Sequence, residues 1–226
     1  MDSIQGEHIA LRLMGNEYYI QDTLFYSLVI MVLISLFAFY VNYKVKQVKV
    51  EDTPSGIVNL MEMAIEAINN IVKNSMGEKN LSYAPYITML ALYLAPANLI
   101  GLIGLTPPTS NFNVTLALSM ITFVLIHAKG IKSNGLGKKL KGYFEPSPIL
   151  FPINVIGDVA TPISLSFRLF GNVLSGVIIM TLVYGALGVF SPLVTPVLHA
   201  YFDIFAGLLQ TFIFIMLTMV NIAMAE

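Results

Sequence analysis

From residue 148 to residue 187 the chain runs through forty positions with only two charged side chains, Asp158 and Arg168. As a helix, forty residues rise about 60 Å, twice the roughly 30 Å of a bilayer's hydrocarbon core, so the run cannot stand upright as one membrane span. A break would need a polar loop. None interrupts residues 163–184, and Pro152 and Pro162 can kink the early part without a water-exposed turn. The sequence therefore predicts a long, strongly tilted helix over 148–187, a turn within GVFSPLVTP, and a second tilted helix over 194–225 that returns across the membrane.

The rest of the chain fits the same solvent. With 56% hydrophobic residues, 11% charged residues and a mean hydropathy of +0.77, it lacks the polar groups to cover a water-facing surface. Spans are expected at 23–43, 86–105 and 113–128, the last two forming a hairpin across the proline-containing TPPTSNF. Residues 54–76 read as an amphipathic helix lying on the membrane surface. Ile57, Met61, Ala64, Ile68, Ile71 and Val72 repeat at helical spacing, Glu62, Glu66 and Lys73 fill the other side, and Thr53 and Pro54 signal its start. Residues 1–22 form an outer N-terminal segment and 129–147 a glycine-rich basic loop. The predicted fold is thus a single all-α integral membrane domain of about five embedded helices plus one surface helix.

Charge placement orients it. With the N-terminus outside, all lysines (44, 46, 49, 73, 79, 129, 132, 138, 139 and 141) fall on the cytoplasmic side, with the C-terminus, as the positive-inside bias requires. The N-terminal segment lacks the basic start of a cleavable signal, so the first apolar run is expected to remain as an anchor. A net charge of -1 gives no field to hold nucleic acid, and the absence of cysteine excludes disulfides, thiolate metal sites and a cysteine nucleophile. His8, His127 and His199 are too scattered for a spaced metal site, and no phosphate or dinucleotide fingerprint occurs, so no cofactor is expected. His127 reads as an interface or dipole-neutralising residue, and His199 and Tyr201 as belt residues at a membrane boundary.

An arginine near mid-bilayer costs on the order of 2.5–3.5 kcal/mol on insertion scales, so Arg168 must meet water or an anion. Helical spacing places Thr161, Ser164, Arg168, Asn172 and Ser175 on one face with Gly171 beside them, leaving the guanidinium accessible. The competing reading is a structural salt bridge within the chain, to Asp158 or Asp203. On the last helix Asp203, Gly207, Gln210, Phe214, Leu217 and Asn221 form a second stripe. Asp203 reads equally as an interfacial residue or as part of a pathway, and Asp158 as the lining of an aqueous entry or the cap of a helix kink.

PISLSFRLFGNVLSG and LLQTFIFIMLTMVNIAMAE, with NFNVTLALSM and FPINVIGDVATP, resemble subunit a of the rotary F-type ATP synthase from about Leu60 onward. The resemblance implies a non-catalytic stator in a bacterial plasma membrane, partnered by a ring of c subunits and the peripheral-stalk subunit b. It implies that Arg168 is the ion-translocation gate facing the ring carboxylates, with Asn172 and Gln210 at the rotor interface. Asp203, Ser164, Ser175, Asp158 and Asn221 are the further candidates for that interface and for two aqueous half-channels carrying H⁺ or Na⁺. The chain departs from many proton-type relatives in having Val177 nine residues after the arginine in place of Glu, and from some in having Asp203 in place of His. The alternative is an ion-coupled secondary transporter, for which inverted repeats and broken mid-membrane helices would be expected; neither is visible.

Overall fold

A computed structural model describes residues 8–13, 16–47, 56–145 and 147–225. The expected helix start at Thr53 and Pro54, and Lys49, lie outside the described residues. The fold is an all-α integral membrane bundle preceded by a short antiparallel hairpin, β1 (His8–Leu13) and β2 (Asn16–Gln21), paired from His8 opposite Gln21 to Leu13 opposite Asn16. The apolar pattern gave no sign of this hairpin. It leads directly into α1 (Asp22–Gln47).

α2 (Gly56–Met76) is amphipathic and ends at Gly77, whose φ of 82° is a left-handed conformation that glycine adopts without strain. Its apolar stripe delivers Val72 and Met76 onto Ala84 and Ile87 of α3 (Ala84–Leu99) and onto Met219 and Ile222 of α8 (Gly207–Met224). α2 therefore lies across the start of α3 and the end of α8. This is called the α2 end of the bundle below.

α4 (Phe112–Asn134) starts at Asn111, whose side-chain oxygen accepts a 2.9 Å hydrogen bond from the Asn113 amide. The same residue's amide nitrogen donates to Gln21 at 2.7 Å and Thr23 at 3.0 Å, which fixes the β-hairpin at the opposite, hairpin end. At the α2 end the buried Lys129 of α4 donates to the Ile222 carbonyl at 2.9 Å, placing a cation at the negative end of α8.

After the short basic α5 (Leu136–Gly142) comes α6 (Phe151–Leu187), whose 37 residues rise about 56 Å. Its buried side, Pro162, Leu165, Ser166, Leu169, Gly176 and Met180, packs inward, with Leu165 and Leu169 meeting Leu90, Leu94 and Phe214. The turn falls at Gly188, φ 48°, and the chain returns as one rod: α7 (Ser191–His199), a π-helical turn over Ala200–Ala206, then α8. Among the described residues four helical stretches are long and apolar enough to cross a membrane, and the last, Pro148–Met224, is folded in two at Gly188, giving five crossings.

Candidate functional site

The outward face of α6 is set by its inward one. Because Leu165 and Leu169 are buried against α3 and α8, Ser164, Arg168, Gly171, Asn172 and Ser175 are all exposed. Nothing lies within 4 Å of the space where a Gly171 side chain would be, so the guanidinium has an unobstructed neighbourhood. Among the described residues Arg168 has no hydrogen bond and no ion pair. Asp158 and Asp203, the acids of its own chain that competed for it in the sequence, are both bound to other residues.

Asp203 lies on the π-helical turn toward the hairpin end. Its carboxylate is bonded to Nδ1 of His199 one turn earlier, and Nε2 of His199 lies 2.7 Å from the hydroxyl of Tyr184 on α6. A methyl group on Gly101 would sit 3.1 Å from Asp203 Oδ1, so the absence of a side chain there is what lets the carboxylate fit. Below it a cavity of about 20 Å³, room for about one water, is lined by Asn98, Asn172, Asp203, Gly207 and Gln210 among others. Gln210 is 2% exposed and accepts from Asn172 Nδ2 at 2.5 Å, while its own amide nitrogen is buried without a partner. Gln210 thus reaches the Arg168 face through Asn172, and its amide nitrogen, unpaired among the described residues, borders a cavity with room for a water.

Asp158 belongs to a separate group at the α2 end, about 15 Å along α6 from Arg168. It accepts a hydrogen bond from the Tyr143 hydroxyl and lies 3.3 Å from His127 Nε2, above a wide, open vestibule lined by Lys139, Tyr143 and Asn154. Asn154 Nδ2 donates to the Tyr143 carbonyl at 2.9 Å and Lys139 Nζ to that of His127 at 3.3 Å, strapping the segment after α5 across α4 and α6. Burial pushes the Tyr143 hydroxyl up to about 12, with the Asp158 hydrogen bond and charge adding to it. Burial pulls Lys139 down and Asp158 opposes that.

A phenol raised in the folded state is kept protonated by the fold. The strap is therefore intact below a pH of about 10, the ordinary tyrosine value, and is lost as pH climbs through about 12. An ultraviolet titration difference between the protein and Tyr143→Phe is expected to place this tyrosine's midpoint near 12; a midpoint near 10 would mean Tyr143 is free of Asp158.

Of the other candidates, Ser175 donates to the Asn172 carbonyl at 2.9 Å, so it steadies the α6 backbone beside Asn172. Ser164 lies exposed on the Arg168 face, without a hydrogen bond among the described residues. Asn221 is half-buried near the end of α8, about 16 Å along the helix from Gln210, and is not brought to the cavity. His199, read from sequence as a belt residue, and Tyr184 are additions to the site; the i,i+4 spacing of His199 and Asp203 was the signal available. His127 and Tyr143 join Asp158 only through the packing of α4 on α6.

A family model described as ATP synthase A chain matches residues 24–223. Among curated relatives, ATP synthase subunit a 1 of Pelobacter propionicus is 33% identical over 206 residues, covering 89% of this chain and 86% of the relative. ATP synthase subunit a of Geobacter sulfurreducens is 38% identical over 174 residues, 75% of this chain and 74% of its own length. That of Mycoplasma genitalium is 34% identical over 218 residues, 84% and 75% respectively.

Proposed function

Because this chain belongs to the ATP synthase subunit a family, the non-catalytic membrane stator of the Fo sector, we propose that its Arg168 face meets the rotor and that ions reach that face by two separate routes. The observation that carries this is the bare guanidinium of Arg168 on an outward face, with one acid cluster toward each end of the bundle. The rotor is a ring of c subunits, each presenting a carboxylate. Such a carboxylate crosses lipid neutral because it holds its ion; near Arg168 the positive field lowers its pKa and favours release. The freed anion passes the arginine as an ion pair.

Asp203 lines the half-channel at the hairpin end and Asp158 the one at the α2 end. An H⁺ or Na⁺ moving from one to the other must ride the ring, because Arg168 stands between them. Asn172, backed by Gln210, offers a polar group beside the gate, with Ser164 and Ser175 flanking it on the rotor face. Asn221 is placed on the route toward the end of α8. The lysines gathered at the α2 end make that side cytoplasmic, with the N-terminus outside and the C-terminus inside a bacterial plasma membrane. α6, about 56 Å long, then leans strongly in the bilayer and follows the curve of the ring. Subunit b of the peripheral stalk holds the stator still.

The chain has no cysteine, which makes the face testable by cross-linking. Cysteines at Ser164 or Ser175 are expected to form disulfides with a cysteine placed next to the c-subunit carboxylate. A cysteine at the fully buried Ser166 is not. Cross-linking through Ser166 and none through Ser164 or Ser175 would turn the rotor interface to another face of α6.

A further inference from the structure

The short helix α5 has two unlike sides. Leu136 and Leu140, four residues apart, share one of them and are 59% and 55% exposed. Two residues past the helix Phe144 is 46% exposed and stacks on Phe151, the ring centroids 4.6 Å apart. Lys138 and Lys141, three apart, take the opposite side, and Lys132 stands on the last turn of α4. These three lysines are exposed and, among the described residues, have no hydrogen bond or ion pair. Nearby acids do not balance them. Residues 129–147 hold five lysines and a single acid, Glu145, while Asp158 is already engaged by Tyr143 and His127.

The segment is held in place at a definite depth. Lys139 Nζ reaches back to the His127 carbonyl at 3.3 Å, passing so close to Gly130 that a methyl group there would sit 3.0 Å from it. Asn154 fixes the far end through the Tyr143 carbonyl at 2.9 Å. The 23 residues of α4 rise about 35 Å, slightly more than the roughly 30 Å hydrocarbon core, and end at Asn134. Lys132 and α5 therefore stand at headgroup level in the leaflet at the α2 end.

We propose that α5 and the end of α4 bind anionic phospholipid, with Leu136, Leu140 and Phe144 against acyl chains and Lys132, Lys138 and Lys141 at the phosphodiesters. Apolar and cationic groups on opposite sides of one helix match a boundary that is hydrocarbon below and phosphate above. Lysine suits it, because the flexible stem lies on apolar surface while the ammonium reaches the anion. Phosphatidylcholine cancels its phosphate with its own quaternary ammonium, whereas phosphatidylglycerol keeps a net negative charge. Each lysine near such a surface adds about fivefold to the attraction. The charge would equally suit an acidic protein segment, but the exposed apolar row lies where lipid already surrounds the crossings, so lipid covers both sides at once. The site does not depend on where the rotor meets the chain.

The test uses the whole complex reconstituted in vesicles of phosphatidylcholine and phosphatidylglycerol, with a trace of one or the other carrying a photoactivatable diazirine on its acyl chain. On illumination phosphatidylglycerol is expected to mark residues 133–151 at least about fivefold more than phosphatidylcholine does. Lys132→Gln, Lys138→Gln and Lys141→Gln together should remove that preference with the complex intact, since none of the three side chains holds another described residue. Lys79→Gln, exposed at the same end of the bundle but off α5, should leave the preference unchanged. Equal marking by the two lipids, a preference that survives the triple change, or an equal loss in Lys79→Gln would overturn the site. So would a carbodiimide cross-link from these lysines to a carboxylate of another subunit, which would put an acidic protein segment on this face.

Discussion

Replacing Arg168 by alanine is expected to abolish ATP-driven ion pumping by the reconstituted complex, a fall of at least about 100-fold, while the complex still assembles. Both halves follow from the same observation. The side chain is exposed and has no hydrogen bond or ion pair among the described residues, so its removal takes nothing from the packing of α6. On the proposed stator reading, what goes is the fixed charge that makes an arriving carboxylate release its ion and that stops ions passing directly between the routes. Arg168→Lys keeps the charge but loses the planar fork of donors, so it should retain a small residue of coupled flux. Fluorescence quenching by an acridine dye measures pumping, and gel filtration checks assembly. Normal coupled pumping by Arg168→Ala would rule out the gate.

The second large effect is expected at Asn98, where stability and transport fall together. Its amide donates to Thr211 Oγ1 at 2.9 Å and the Gly207 carbonyl at 3.2 Å, and accepts from Thr109 at 2.7 Å. A methyl group on Gly207 would come within 3.3 Å of Asn98, so α3 and α8 meet here almost backbone to backbone. Leucine has as many side-chain heavy atoms but makes none of these bonds, leaving the buried Thr109 hydroxyl without its acceptor while Thr211 Oγ1 keeps its 2.9 Å bond to the Gly207 carbonyl, at a cost of about 1–3 kcal/mol. Interhelical hydrogen bonds in membranes average nearer 0.6 kcal/mol each, so the tight seam is what raises the figure. The Asn98→Leu subunit should lose its thermal unfolding midpoint in detergent by several degrees and copurify poorly with its partners. Thr109→Val, which removes one bond, should do much less. A leucine variant as stable as the parent would mean the network is incidental.

Much of this molecule is legible in its sequence because the bilayer leaves few choices. The crossings follow from the length of apolar runs, and Arg168 stands out because a charge in such a run is expensive. The outward face of Ser164, Arg168, Asn172 and Ser175 is a matter of helical spacing. The turn at Gly188 lay within the stretch expected to hold it. What escaped depends on contacts between elements. The pairing of Asp158 with Tyr143 and His127 needs α4 and α6 side by side, and no spacing within one helix encodes that. Gln210 sits behind Asn172 because Leu169 and Phe214 pull α6 and α8 together, a packing result rather than a periodic one. The π-helical turn over Ala200–Ala206 has no composition that marks it, so a stripe counted at regular α spacing from Asp203 to Asn221 runs through a change of pitch. The β-hairpin is too short for its alternation to register against the spans that follow.

The outward-looking cation also bears on how the subunit is made. On the proposed stator reading, a subunit released alone from the insertion machinery would hold an unmatched charge against acyl chains at a cost of about 2.5–3.5 kcal/mol, relieved when a rotor carboxylate meets it. Biogenesis should therefore run rotor first, stator second, and copies made in excess of rings should be short-lived targets for membrane proteases.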